Sequence, residues 1–192
     1  MSWSTEIAPA VVTYLRGSNS WQQERMDSMQ PTRKITWRDM DYGAIAVVFV
    51  LAASISGQLA TTTNWASWYA ALAKPPFNPP NWVFAPVWGG LYLLMAVAVW
   101  RVVRRPRSPA RRWALILFFI QLALNAAWSW MFFAAQSPLL GLINVIPQWI
   151  VIAATMIAFF RIDWIAGWAL VPLTAWVAYA SLLNAAIFWL NR

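Results

Sequence analysis

Long apolar runs dominate the chain, and most of its polar residues are concentrated between them. Five runs approach or exceed 20 residues, the length that an α-helix needs to cross a hydrocarbon core about 30 Å thick. They cover residues 42–59, 82–103, 113–134, 139–160 and 164–190, and none carries a charged residue at its centre. The pattern therefore predicts an all-α integral membrane protein, a bundle of five transmembrane helices.

The first 37 residues differ from the rest of the chain because they are mostly polar and contain no uninterrupted apolar run. They lack the apolar core of a secretory signal. We therefore expect residues 1–37 to form a mobile N-terminal extension and residues 38–192 to form the five-helix membrane domain.

The composition supports this division and excludes several kinds of chemistry. Of the 192 residues, 61% are hydrophobic and 10% are charged, against about 45–50% and about 25% in soluble domains. The chain has no cysteine and no histidine, which excludes disulfides, thiolate nucleophiles, His-ligated haem and His-centred catalytic triads. We expect no metal site and no required cofactor. The absence of charges deep within the runs argues against an ion-coupled pump.

The basic residues are distributed unequally between the two ends of the predicted bundle. One end carries Lys74 and Arg192, and the other carries Arg16, Arg25, Arg33, Lys34, Arg38, Arg101, Arg104, Arg105, Arg107, Arg111, Arg112 and Arg161. The positive-inside rule then places the N-terminus and the Arg-rich second connection on the cytoplasmic or equivalent side. The positive-inside distribution of the basic residues accounts for the net charge of +8. We therefore expect no nucleic-acid partner.

The connection between the first two runs is rich in proline. Four prolines fall within residues 75–80, which cannot be helical because proline fixes φ and lacks an N–H donor. Trp65, Trp68 and Tyr69 precede this segment with the spacing of a short interfacial helix. The connection is predicted either to close a binding site as a rigid lid or to serve only as a stiff connector with an aromatic belt.

Amide and aromatic residues recur at helical spacing within three of the runs. They are Trp88 and Tyr92 in the second, Gln121, Asn125 and Trp128 in the third, and Trp176 and Asn184 in the fifth. The small residue Ala180 lies between the last two and leaves a notch on that face. Each stripe is compatible with helix–helix packing. Together they indicate a cavity of indoles and amides without fixed charge, which suits a large planar ligand such as a tetrapyrrole, a sterol or an aromatic drug.

Three motifs then resemble the translocator protein (TspO, peripheral-type benzodiazepine receptor) family, over about residues 40–191. The first is Trp68-Tyr69-x-x-Leu72-x-Lys74-Pro75-x-Phe77-x-Pro79-Pro80-x-Trp82-Val83-Phe84-x-Pro86-Val87-Trp88-x-x-Leu91-Tyr92. The others are Gln121-Leu122-x-x-Asn125-x-x-Trp128-x-x-x-Phe132-Phe133 and Pro172-x-x-Ala175-Trp176-x-x-x-Ala180-x-x-x-Asn184.

The resemblance implies a homodimeric five-helix bundle that binds porphyrins, such as protoporphyrin IX, and aromatic drugs under the first loop. It implies a set of ligand-binding residues: Tyr69, Pro79, Trp88, Tyr92, Asn125, Trp128, Phe132, Trp176 and Ala180. The implied role is a sensor, carrier or regulator of tetrapyrrole metabolism. Two alternatives stay open: a light- and oxygen-dependent porphyrin-degrading enzyme with Trp88 and Trp176 as catalytic residues, and a transporter of lipophilic substrates including sterols. The sterol motif of the family is incomplete, because Tyr179 has no basic residue before Arg192.

Overall fold

The structure is a computed structural model that describes residues 37–192, with side chains for residues 41–62 and 67–192. The predicted N-terminal extension lies outside the described residues apart from Trp37, where the first helix begins. Five helices are long and apolar enough to cross a membrane. They are α1 (Trp37–Asn64), α2 (Asn81–Val103), α3 (Pro109–Ser129), α4 (Pro138–Phe160) and α5 (Trp164–Leu190). The prediction of an all-α membrane bundle is confirmed.

Several helices extend beyond their apolar runs. An apolar run is limited to the residues within the hydrocarbon core, whereas the helical hydrogen bonds continue past it. The first run ends at residue 59, but α1 continues through a threonine-rich turn in which Thr61 Oγ1 donates to the carbonyl of Gly57, at 2.8 Å. At the other end of the bundle, α3 begins at Pro109 rather than at residue 113.

Short polar side chains begin three of the helices. Ser108, Ser137 and Asp163 precede α3, α4 and α5, and each accepts a hydrogen bond from the backbone N–H three residues later. A proline occupies the first position of both α3 and α4, where its missing N–H has no helical partner to lose. The first residue of each of these three helices is therefore determined by the local sequence.

The helices form a ring in the order α1, α2, α5, α4, α3, with α3 next to α1. The core of the ring is aliphatic and aromatic, and Phe118 of α3 stacks on Phe159 of α4 with ring centroids 5.7 Å apart. The first turn of α5 packs closely on the end of α4 at Gly167, where an added Cβ would overlap the Phe160 ring. Large apolar side chains cover much of the outer surface, as expected for helices that face lipid.

A buried carboxylate joins the two connections at the end of the bundle opposite the proline-rich loop. Asp163 Oδ1 accepts from Nε of Arg101 at 2.9 Å, and Oδ2 accepts from Nε of Arg105 at 2.9 Å and also from its Nη2. Burial by itself raises the pKa of Asp163. The hydrogen bonds from Arg101, from the Ala166 amide and from Arg105 outweigh it and hold the pKa well below its usual range.

Replacing Asp163 is expected to destabilise the protein in two steps. Asp163→Asn keeps an acceptor for the Ala166 N–H but loses the charge, whereas Asp163→Ala also loses the helix cap, which by itself is worth about 1 kcal/mol. Thermal unfolding in detergent at neutral pH should therefore rank wild type above Asp163→Asn, and Asp163→Ala last.

The pH dependence of this loss has a defined sign. Because the folded state lowers the pKa of Asp163, its contribution is complete above the unfolded value of about 4 and is lost as the pH falls through the folded value. The difference in melting temperature between wild type and Asp163→Asn should thus be constant from about pH 6 to about pH 8 and shrink in strong acid. A difference that grows on acidification would contradict this assignment.

Candidate functional site

A cavity of about 510 Å³ lies within the half of the bundle next to the proline-rich connection. Its walls come from α1, α2, α3 and α5, together with Tyr69 and the π-helical turn Trp130–Ala134 that follows α3. Eight of the nine predicted site residues line it: Tyr69, Trp88, Tyr92, Asn125, Trp128, Phe132, Trp176 and Ala180. The three stripes predicted from sequence therefore meet in one place, apart from Gln121, which is buried against Met95 in the core.

Pro79 is the predicted site residue that does not line this cavity. It borders a shallow apolar groove on the outer side of α2 and α5, on which Trp176 also lies. The hydroxyl of Tyr179 donates to the carbonyl of Phe77 at 2.6 Å and holds the segment before α2 against α5. The structure thus places Pro79 beside this groove, whereas its role as a ligand-binding residue stays a prediction.

Residues of α1 form a wall of the cavity that the sequence interpretation missed. They are Ser54, Gly57, Gln58, Thr61 and Thr62. Small and polar residues recur here every three to four positions within an otherwise apolar helix, so the spacing could have identified this face. The remaining lining residues are Asn81, Phe84, Ala85, Ser129, Phe133, Leu183, Asn184 and Ile187.

Two hydrogen bonds between helices fix the polar part of the wall. The hydroxyl of Tyr92 on α2 donates to Oδ1 of Asn125 on α3 at 2.8 Å, and Asn125 is only 3% exposed. Its Nδ2 has no hydrogen-bond partner among the described residues. An unused amide donor therefore lies beside the cavity.

The second bond ties an indole to the neighbouring helices. Nε1 of Trp128 donates to Oδ1 of Asn184 on α5 at 3.1 Å, and Nδ2 of Asn184 donates to the carbonyl of Pro138 at 2.8 Å. The Trp128 ring also stacks on Phe132, with centroids 5.0 Å apart and planes 17° apart. Trp128 is thereby held in one orientation.

The other two indoles of the wall have different surroundings. Trp88 lies beside Tyr92, with ring centroids 5.7 Å apart, and Trp176 makes an edge contact with Phe84 at 6.0 Å. Neither indole N–H makes a hydrogen bond within the part of the chain that the structure describes. Both residues line the cavity, and their N–H groups have no partner among the described residues.

The proline-rich connection crosses the same end of the bundle. The predicted short interfacial helix is instead a continuation of α1 through a π-helical turn, Trp65–Tyr69. Residues 75–80 are non-helical, as predicted. Tyr69 donates from its hydroxyl to Oδ1 of Asn78 at 3.1 Å, and burial raises its pKa to about 12, so this hydroxyl keeps its proton at neutral pH.

A pair of hydrogen bonds fastens the connection to the end of α5. Oδ1 of Asn191 accepts from the N–H of Ala73 at 2.9 Å, and Nδ2 of Asn191 donates to the carbonyl of the same residue at 2.9 Å. The Lys74 ammonium lies 4.8 Å from the centroid of the Tyr69 ring. The connection is therefore held against the end of α5.

These features define a multi-pass membrane protein with an aromatic cavity at the end of the bundle that carries a fastened proline-rich loop. A sequence model of the TspO/MBR family matches residues 44–190, and the chain belongs to this family. The resemblance found in the three motifs is thus confirmed.

Relatives of the chain include bacterial and mammalian proteins. The chain is 40% identical over 149 residues to the "Tryptophan-rich protein TspO" of Chlorobaculum tepidum, which covers 77% of this chain and 94% of that protein. It is 36% identical over 153 residues to the "Tryptophan-rich sensory protein" of Cereibacter sphaeroides, covering 80% and 94%. It is 34% identical over 152 residues to the "Translocator protein" of Sus scrofa, covering 77% and 90%.

The bond between Tyr92 and Asn125 is open to a direct test. Tyr92→Phe leaves the amide oxygen of Asn125 without a partner, and an unsatisfied buried polar group costs about 1–3 kcal/mol. We expect a lower melting temperature in detergent than for wild type. The double variant Tyr92→Phe/Asn125→Leu should recover part of the loss, since both partners are then apolar.

Tyr42→Phe is the matched control, because Tyr42 is 44% exposed and no hydrogen bond of its hydroxyl is recorded. It should unfold like wild type. If Tyr92→Phe and Tyr42→Phe behave alike, the bond to Asn125 does not stabilise the wall.

Proposed function

We propose that this protein binds a porphyrin or a closely related tetrapyrrole in the cavity and acts as a membrane sensor or regulator of tetrapyrrole metabolism. The observation that carries the proposal is the wall itself, on which Trp88, Trp128 and Trp176 converge and no charged residue is present among the lining residues. A relative named as a sensory protein supports the regulatory part.

The cavity suits a planar, mostly apolar molecule. Its volume of about 510 Å³ falls within the range of small-molecule sites, about 300–1,000 Å³. Indole faces stack on extended π-systems, and the N–H groups of Trp88, Trp176 and Asn125 are positioned to donate to polar edges. The chain has no histidine or cysteine to coordinate iron, so a metal-free porphyrin is the simplest probe.

Binding is tested by titrating the protein in detergent with protoporphyrin IX and following the absorption and fluorescence of the porphyrin. Trp88→Phe/Trp176→Phe should weaken binding several-fold, because two stacking surfaces become smaller and two donors are lost. Trp113→Phe/Trp164→Phe is the matched control, since these indoles are 62% and 65% exposed at the far end of the bundle. Equal affinity in the two double variants would contradict the assignment of the pocket.

A second variant in the same titration fills the cavity instead of altering its chemistry. Ala180 lies between Trp176 and Asn184 on α5 and borders the cavity, so Ala180→Phe should occupy ligand space while the bundle stays folded. We expect binding to be lost with little change in melting temperature. Retained affinity would mean that the porphyrin binds elsewhere.

The orientation and assembly of the protein belong to the same proposal. The connection between α2 and α3 is rich in arginine and the connection between α4 and α5 carries Arg161, which supports a cytoplasmic or equivalent location for both. The proline-rich loop and the cavity then lie toward the opposite side. The homodimer stays a prediction from the family resemblance.

Light-dependent degradation of the bound porphyrin is the second candidate function. It is favoured by the position of Trp88 and Trp176 on the cavity wall, where an oxidisable indole lies beside a photoexcited ligand in the presence of oxygen. Illumination of the loaded protein in air should bleach the porphyrin faster in wild type than in Trp88→Phe/Trp176→Phe, compared at equal occupancy. Equal rates would leave binding alone as the function.

A further inference from the structure

The arginine-rich end of the bundle carries more charge than its own ion pairs use. Among the described side chains, this end has seven arginines and two carboxylates, Asp41 and Asp163. Asp163 is buried and is paired with Arg101 and Arg105. Four exposed arginines have no recorded carboxylate partner: Arg104, Arg107, Arg112 and Arg161. We call these four residues the arginine platform.

The platform is built on a well-ordered connection. Asp163 joins the α2–α3 connection to the α4–α5 connection through its two ion pairs. Nη1 of the buried Arg111 donates to the carbonyl of Arg105 at 2.8 Å, and Ser108 caps the start of α3. The four exposed guanidinium groups therefore extend from backbone that is already fixed, which lowers the entropic cost of binding an anion.

Exposed indoles indicate the depth of the platform in the bilayer. Trp113 on α3 and Trp164 on α5 lie next to Arg112 and close to Arg161 in sequence, and both are largely exposed. Tryptophan concentrates at the headgroup level of a membrane. Arg107 also lies over the ring of Tyr42, 5.7 Å from its centroid. The guanidinium groups are thus placed where lipid phosphates lie.

We propose that the arginine platform is a docking surface for anionic phospholipid headgroups. Guanidinium groups match phosphate geometry and donate two parallel hydrogen bonds to it, and basic clusters beside membrane spans attract anionic lipid. The surface is positive, rigid and at headgroup depth, and its internal carboxylate is already neutralised. This is separate from the cavity, which lies at the other end of the bundle.

The test uses the full-length protein in bilayers that contain lipids with brominated acyl chains, which quench nearby tryptophans. Quenching by brominated phosphatidylglycerol and by brominated phosphatidylcholine gives the relative affinity for the two lipids. Wild type should prefer the anionic lipid several-fold, and salt should reduce this preference. The variant Arg104→Gln/Arg107→Gln/Arg112→Gln/Arg161→Gln should show a ratio near one.

Lys74→Gln/Arg192→Gln is the control, because it removes basic residues from the opposite end and should leave the preference intact. Two double variants, Arg104→Gln/Arg161→Gln and Arg107→Gln/Arg112→Gln, should each lose part of the preference for the anionic lipid. They replace the quadruple variant in the test if that variant does not fold. An unchanged preference in the platform variants, or none in wild type, would overturn the proposal and leave these arginines as determinants of topology only. Loss of the preference on adding inorganic phosphate, but not chloride at equal ionic strength, would also overturn it in favour of a soluble phosphate ligand.

Discussion

Polar groups at membrane depth are costly to leave unpaired, and the hydrogen bonds between the helices of this bundle follow from that constraint. Lipid offers no hydrogen bonds, so a lone amide on a transmembrane helix selects the neighbour that can satisfy it. Asn125 of α3 is paired with Tyr92 of α2, and Asn184 of α5 is paired with Trp128 and with the carbonyl of Pro138. These bonds join four of the five helices around the cavity.

The position of the cavity follows from unequal packing along α1 and α2. At the arginine-rich end the two helices are in close contact, because Gly43 has no side chain and an added Cβ would lie 2.7 Å from the Trp100 ring. Toward the proline-rich loop, Gly57 of α1 instead approaches Ser129 and Tyr92, and small and polar residues of α1 border empty space. Close packing at Gly43 and the small and polar residues of α1 near the loop together account for a cavity in the half of the bundle next to the loop.

The sequence was sufficient for the helices and for the main indole and amide residues of the wall, for identifiable reasons. Membrane spans are long, uniform apolar runs, and amides such as Asn125 within them have few roles, so both stand out in a single sequence. The face of α1 was missed because serine, glycine and threonine are weak signals. Pro79 borders the outer groove rather than the cavity, because the path of a loop depends on tertiary contacts such as that of Tyr179 with Phe77, which no local pattern encodes.

The tryptophans divide by depth and by the state of their N–H groups. Trp82, Trp113, Trp164 and Trp189 are largely exposed near helix ends, as in an aromatic belt. On the cavity wall, Trp128 uses its N–H for Asn184 and its face for Phe132, so its donor is already engaged. The indole N–H groups of Trp88 and Trp176 make no hydrogen bond within the described residues. In the proposed binding mode, the polar edge of the ligand meets free donors on these two indoles, whereas Trp128 offers a ring whose orientation is already fixed.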